Sequence, residues 1–140
     1  MFQGDCFTFR SGSDGFHLWV VVSDPAQNSN DVLVVNLTTV RGGRFEDLSC
    51  VFEAGEHEWL STKSFVAFRY ARVYPLSHLV RLSHSNVLRA YDPFPIPLLQ
   101  RIFAGASFSP YLEMGYLELL RDQGFVAREE SGESPASPGQ

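Results

Sequence analysis

FHLWVVVS, residues Phe16–Ser23, and VLVVNLT, residues Val32–Thr38, decide the fold class of this chain. Both runs are dominated by β-branched and aromatic residues, which suit a pleated and buried surface. Asp24-Pro25 ends the first, Thr38-Thr39 closes the second, and the polar loop Ala26–Asp31 separates them. They are expected to be central strands. Upstream, Gly4–Arg10 alternates Asp5, Phe7 and Phe9 against Cys6, Thr8 and Arg10, and the Ser11–Gly15 cluster after it has the composition of a hairpin turn. Downstream, the basic loop Arg41-Gly42-Gly43-Arg44 leads to a short strand at about Ser49–Glu53, Ala54-Gly55-Glu56 makes a turn, and Phe65–Tyr74 is the longest strand candidate, closed by Pro75.

The pattern then changes. Prolines 93, 95 and 97 precede a short helix candidate at Leu98–Phe103. Ser109-Pro110 offers an N-cap followed by a first-turn proline, with Leu112, Tyr116, Leu119 and Leu120 on one helical face and Gly124 as the stop. Short strands followed by helices predict a mainly β chain, a small curled barrel with C-terminal helices, in one domain over residues 1–128 with the helices at about 96–124. The Ser/Pro/Gly-rich stretch 129–140 reads as a disordered tail.

With 140 residues, 44% hydrophobic, the chain suits one compact domain. Nineteen aromatics (Phe 12, Tyr 5, Trp 2) exclude a chain too apolar-poor to order itself. No window resembles a membrane span or a signal peptide, so a cytoplasmic location and no membrane partner are expected. Cys6 and Cys50 lack paired spacing and read as small buried residues, not as a disulfide framework or zinc site.

The net charge of -5 argues against a general nucleic-acid binder. Its distribution argues otherwise. Between Glu58 and Asp92 no acid occurs, while Lys63, Arg69, Arg72, Arg81 and Arg89 stand among Trp59, Phe65, Phe68, Tyr70 and Tyr74. Cations interleaved with rings suit single-stranded nucleic acid, where bases stack and phosphates pair. The same pattern also suits a packed strand with solvated arginines.

No phosphate-binding Gly loop, HExxH, GxSxG or paired-Cys motif is present. What remains is a set of strand-end groups: His17, Thr38-Thr39, Glu56-His57 and Lys63-Ser64, which strand ends could bring to one rim. Two imidazoles with a cation and hydroxyls suffice for RNA cleavage without a cofactor or metal. One group takes the ribose 2′-OH proton, another protonates the departing 5′-oxygen, and a cation stabilises the phosphoryl charge. His17 could equally be a satisfied histidine of the apolar run. His57, in the polar turn GEHEW, has no packing reason to be an imidazole. His78 and His84, six residues apart, suit no metal pair.

Gly4-Asp5, Val20–Ser23 (VVVS), Asn36–Thr39 (NLTT) and Ser64-Phe65-Val66, in that order, resemble the MazF/PemK/Kid toxins over roughly residues 4–82. The resemblance implies an SH3-like barrel, a homodimer and a metal-independent endoribonuclease that cuts single-stranded RNA by 2′-OH attack and is restrained by a cognate antitoxin protein. It places the family's threonine at Thr38 or Thr39 and its basic group near His17. Leu18-Trp19 stands where the family commonly has Arg-Pro. The expected catalytic set is therefore His17, Thr38, His57 and Lys63, with Thr39, Arg41, Arg44, Ser64, Arg69 and Arg72 binding RNA. The rival expectation is a non-catalytic SH3-like module for RNA or a partner protein, and a third is that the basic strand faces an acidic antitoxin and never touches RNA.

Overall fold

A computed structural model describes residues 1–10, 17–27 and 30–128. The expected hairpin turn at Ser11–Gly15 and the tail at 129–140 lie outside the described residues. The chain runs β1 (Cys6–Phe9), β2 (Leu18–Val21), β3 (Asp31–Thr39), β4 (Val51–Phe52), β5 (Ser64–Pro75), α1 (Leu76–His84), β6 (Leu88–Tyr91), α2 (Ile96–Phe108) and α3 (Met114–Asp122). The strands form one six-stranded sheet in the order β4-β5-β3-β2-β1-β6, with every neighbouring pair antiparallel.

The chain is thus mainly β with C-terminal helices, and each expected strand is present. The sheet is open where a closed barrel was expected: β4 and β6 are its two edges, and no pairing joins them among the described residues. The reason lies in how the chain leaves β5. Instead of folding back as another strand beside β5, it enters α1 and returns as β6 on the far side of β1. β4 pairs through Val51↔Phe65 and Phe52↔Ser64, at the start of β5 alone.

Alternation along the strands separates two packed faces. Leu18, Val20, Leu33, Val35, Leu37, Val66 and Phe68 point to one, where Leu98, Leu99, Ile102 and Ala106 of α2 and Leu117 and Leu120 of α3 cover them. Trp19, Val21, Val32 and Val34 point to the other, joined by Phe7 of β1, Leu88 of β6 and Leu79 of α1. Leu79 of α1 is buried within this second cluster, with Leu76 and Leu82 packed against it.

Between Val34↔Arg72 and Asn36↔Ala67, β3 advances two residues while β5 advances five. This bulge breaks the alternation. Phe68 and Ala71, three apart, both reach the first-face core, and Arg69 and Tyr70 between them are left exposed.

The helices differ from expectation in their bounds. α2 extends from Ile96 to Phe108, with Pro95 as its N-cap and Pro97 in its first turn, where a missing N–H costs no helical bond. Ser109 does not begin the third helix. It is the C-cap of α2, and α3 starts at Met114 after Glu113. α1 and β6 carry no counterpart in the sequence reading. No described helix is long and apolar enough to cross a membrane.

The docking of α2 rests on Gly105, where an added Cβ would lie 2.6 Å from the Cβ of Cys50 and 2.9 Å from the carbonyl oxygen of Ser49. A Cβ and a backbone carbonyl, neither the far end of a flexible side chain, leave little room to relax. Gly105→Ala is expected to cost about 1–3 kcal/mol through overpacking, despite alanine's better helix propensity. The midpoint of chemical denaturation measures it; an unchanged or raised midpoint contradicts the close approach.

Candidate functional site

His17 and Thr38 meet because of strand register. β2 and β3 pair Leu18 with Leu37 and Trp19 with Asn36, so the next rung sets His17 opposite Thr38 on the second face. Thr38 Oγ1 donates to Asn36 Oδ1 at 3.2 Å and lies 3.4 Å from His17 Nδ1. The hydroxyl proton is committed to Asn36, so the threonine oxygen accepts from Nδ1–H. Nε2 of the neutral ring then carries the free lone pair. His17 is partly exposed. A neutral ring in this tautomer is what a general base requires.

Beside this rung lies a cleft of about 350 Å³. Its floor is Thr38, Phe65 and Ala67; its walls are Arg69 and Tyr70 from the bulge, Gly43 to Asp47 from the loop after β3, and Tyr111 from the α2–α3 connection. Arg44 and Arg69 supply positive charge, with Arg44 5.7 Å from the centre of the exposed Phe45 ring and Arg69 4.4 Å from that of Tyr111. Two acids also line it, and both are held by local donors. Glu46 accepts the backbone N–H groups of Arg41 and Gly42, the latter at positive φ (81°). Asp47, buried, accepts from the hydroxyls of Ser49 and Ser109 and from the N–H of Ser49.

The structure therefore brings Thr38, Arg44 and Arg69 to the cleft, and His17 to Thr38 just outside the residues that line it. The other expected site residues have different surroundings. Thr39 and Ser64 face each other at the last β3–β5 rung; Thr39 Oγ1 lies 3.3 Å from Thr62 Oγ1, and the buried Ser64 hydroxyl donates to the Thr62 carbonyl. Lys63 is exposed and 4.0 Å from Glu53, a solvent-screened pair of small energetic weight. Arg41 is exposed on the loop, outside the residues lining the cleft. Arg72 lies over Trp19 on the second face and donates to the Tyr74 hydroxyl. The indole N–H of Trp19, two rungs from His17, is buried without a hydrogen-bond partner among the described residues. Such a donor costs about 1–3 kcal/mol.

His57 belongs elsewhere. Its ring is 7% exposed and lies 4.6 Å from Phe94, a residue of the first-face core. Trp59 N–H donates to Nδ1 at 3.1 Å, so Nε2 carries the proton and donates to the Asp92 carbonyl. The Cys6 thiol donates to the same carbonyl at 2.9 Å. The imidazole ties the 53–60 turn to β1 and the segment before α2, which is why a polar turn carries it. Both ring nitrogens are occupied, so His57 does not share a reacting spot with His17.

Of the rings expected to stack on bases, Phe65 and Phe68 are buried and Trp59 packs against the first-face core. Of that group Phe65 and Tyr70 line the cleft, and of these two only Tyr70 is exposed. Phe45 and Tyr111, which also line it, were not singled out by sequence; Tyr111 stands 42 residues beyond Arg69 with no motif to connect them. Among the described residues no group of three or more His, Cys, Asp or Glu is placed to hold a metal ion. Comparison with protein-family models, curated proteins and solved structures finds no match.

Burial pushes both thiols, Cys6 and Cys50, from 9.0 up to about 12. They stay protonated in the folded chain while the unfolded chain releases its protons from about pH 9 upward. Raised folded values place the stabilisation below pH 9, so it is expected to fall as pH climbs from 9 toward about 12. Denaturation midpoints across that range test this, and Cys6→Ala with Cys50→Ala should flatten the decline. Native protein at pH 8 should resist thiol alkylation, and rapid labelling there contradicts the burial.

Proposed function

We propose that the cleft takes single-stranded RNA and that the protein is a metal-independent endoribonuclease of the MazF/PemK/Kid kind, on an open relative of the SH3-like barrel. The observation that carries this reading is the His17–Thr38 rung, with a free imidazole Nε2, at the edge of a cleft bearing Arg44, Arg69, Phe45 and Tyr70. Guanidinium forks suit phosphate oxygens, and the exposed rings offer faces for bases.

In the proposed reaction, Nε2 of His17 takes the 2′-OH proton as the 2′-oxygen attacks phosphorus. The bond to the 5′-oxygen breaks, leaving a 2′,3′-cyclic phosphate, and the departing oxygen takes a proton from water. Thr38 holds Nδ1–H and so keeps the lone pair on Nε2, and Arg44 and Arg69 stabilise charge on the phosphoryl oxygens. These steps require no metal. The same reading carries a homodimer in the cytoplasm restrained by a cognate antitoxin.

The burial of His57 favours a second reading, a non-catalytic module that holds RNA or a partner protein in the same cleft, since it removes one of two expected proton carriers.

Incubation with single-stranded RNA in excess chelator separates them. An enzyme yields cyclic-phosphate ends, and His17→Ala should lower the rate about 10² to 10⁴-fold with RNA affinity changed little. His57→Ala should instead lower stability by about 1–3 kcal/mol, by orphaning the buried donors and acceptors around it. Binding without cleavage establishes the module, and cleavage only with added magnesium overturns the mechanism.

A further inference from the structure

Arg69 projects from the bulge of β5 at the one place where the strand leaves two consecutive residues exposed. A long side chain at such a point has many rotamers, and ordering it on a phosphate costs entropy. The guanidinium is nonetheless held. Its central carbon lies 4.4 Å from the centre of the Tyr111 ring, which shares the lining of the cleft. Tyr111 is itself fixed by a short relay: its backbone N–H donates to Ser109 Oγ at 3.1 Å, and that hydroxyl donates to Asp47 Oδ2 at 2.5 Å. Asp47 is buried in the loop that forms the opposite wall.

A guanidinium lying over an aromatic face keeps its N–H edges free, because stacking uses the plane and hydrogen bonding uses the rim. We infer that Tyr111 is a positioning residue that stacks Arg69 flat and presents its N–H fork to an RNA phosphate in the cleft. The α2–α3 connection thereby forms one wall of the site instead of covering it. This rests on the RNA reading of the cleft. Tyr111 acts through Arg69, and the Asp47–Ser109 bond acts through Tyr111.

Two measurements test it. In the free protein, the side-chain methylene protons of Arg69 should show upfield ring-current shifts by NMR, retained in Tyr111→Phe and lost in Tyr111→Leu. Random-coil shifts in the wild type overturn the stack without need of a variant. The second uses anisotropy of a short labelled single-stranded RNA. Tyr111→Phe should bind within about 2-fold of wild type, while Tyr111→Leu should bind about 3- to 20-fold more weakly. Arg69→Ala should weaken binding and lower the salt slope by about 0.7. The Tyr111→Leu and Arg69→Ala double variant should be no weaker than Arg69→Ala alone.

Losses that multiply mean that Tyr111 touches RNA itself, which overturns the positioning role. Binding that falls with Arg69→Ala but ignores Tyr111→Leu leaves the RNA reading standing and overturns this inference alone. Wild-type protein with no affinity for the oligonucleotide overturns both.

Discussion

The pairing of β3 with β5, and the bulge within it, is the constraint on which the rest of the structure depends. Regular alternation would place Tyr70 beneath the sheet with Phe68. Five residues of β5 against two of β3 let Phe68 and Ala71 both fill the first-face core, and force Arg69 and Tyr70 outward together. One local irregularity thus completes the core on one side and builds a cleft wall on the other. It also breaks the regularity of β5 beyond the rungs that pair with β4, and bulges and positive charge are both devices that discourage edge-to-edge association.

The two imidazoles of interest show how environment divides one residue type into two roles. His57 has a backbone donor on one nitrogen, a carbonyl on the other and a ring against its face, so its chemistry is consumed in holding three segments together. Among the described residues His17 makes a side-chain hydrogen bond to Thr38, and it stays partly exposed. The buried ring satisfies polar groups that the turn would otherwise leave unpaired, whereas the partly exposed ring retains a lone pair.

Charge segregation acquires a physical explanation once the cations are placed. Arg69 and Arg72 leave β5 on successive sides of the bulge, Arg81 is on α1, Arg89 lies beside Tyr91 on β6, and Lys63 leans toward Glu53. The cations of the acid-free segment therefore spread over several surfaces, and of these five only Arg69 lines the cleft, where Arg44 from the Gly-rich loop joins it. A cationic stretch in sequence is not a cationic patch in space, because strand, helix and returning strand point their side chains in different directions.

By itself, the amino-acid sequence determined five of the six strands and marked β2 and β3 as central, since runs such as LWVV and VLVVNLT suit a buried sheet. It also determined that helices follow the strands, and that Cys6 and Cys50 are buried and unpaired. Tertiary structure decided the remainder. Whether the sheet closes depends on where β6 returns, and no local residue encodes that choice. Ser109 had the chemistry of an N-cap, yet it ends α2 and binds Asp47, because a partner 62 residues away competes for the same hydroxyl. Register, summed over the whole β2–β3 ladder, brings His17 to Thr38. Arg69 meets Tyr111, 42 residues on, across a separation that no spacing rule reaches.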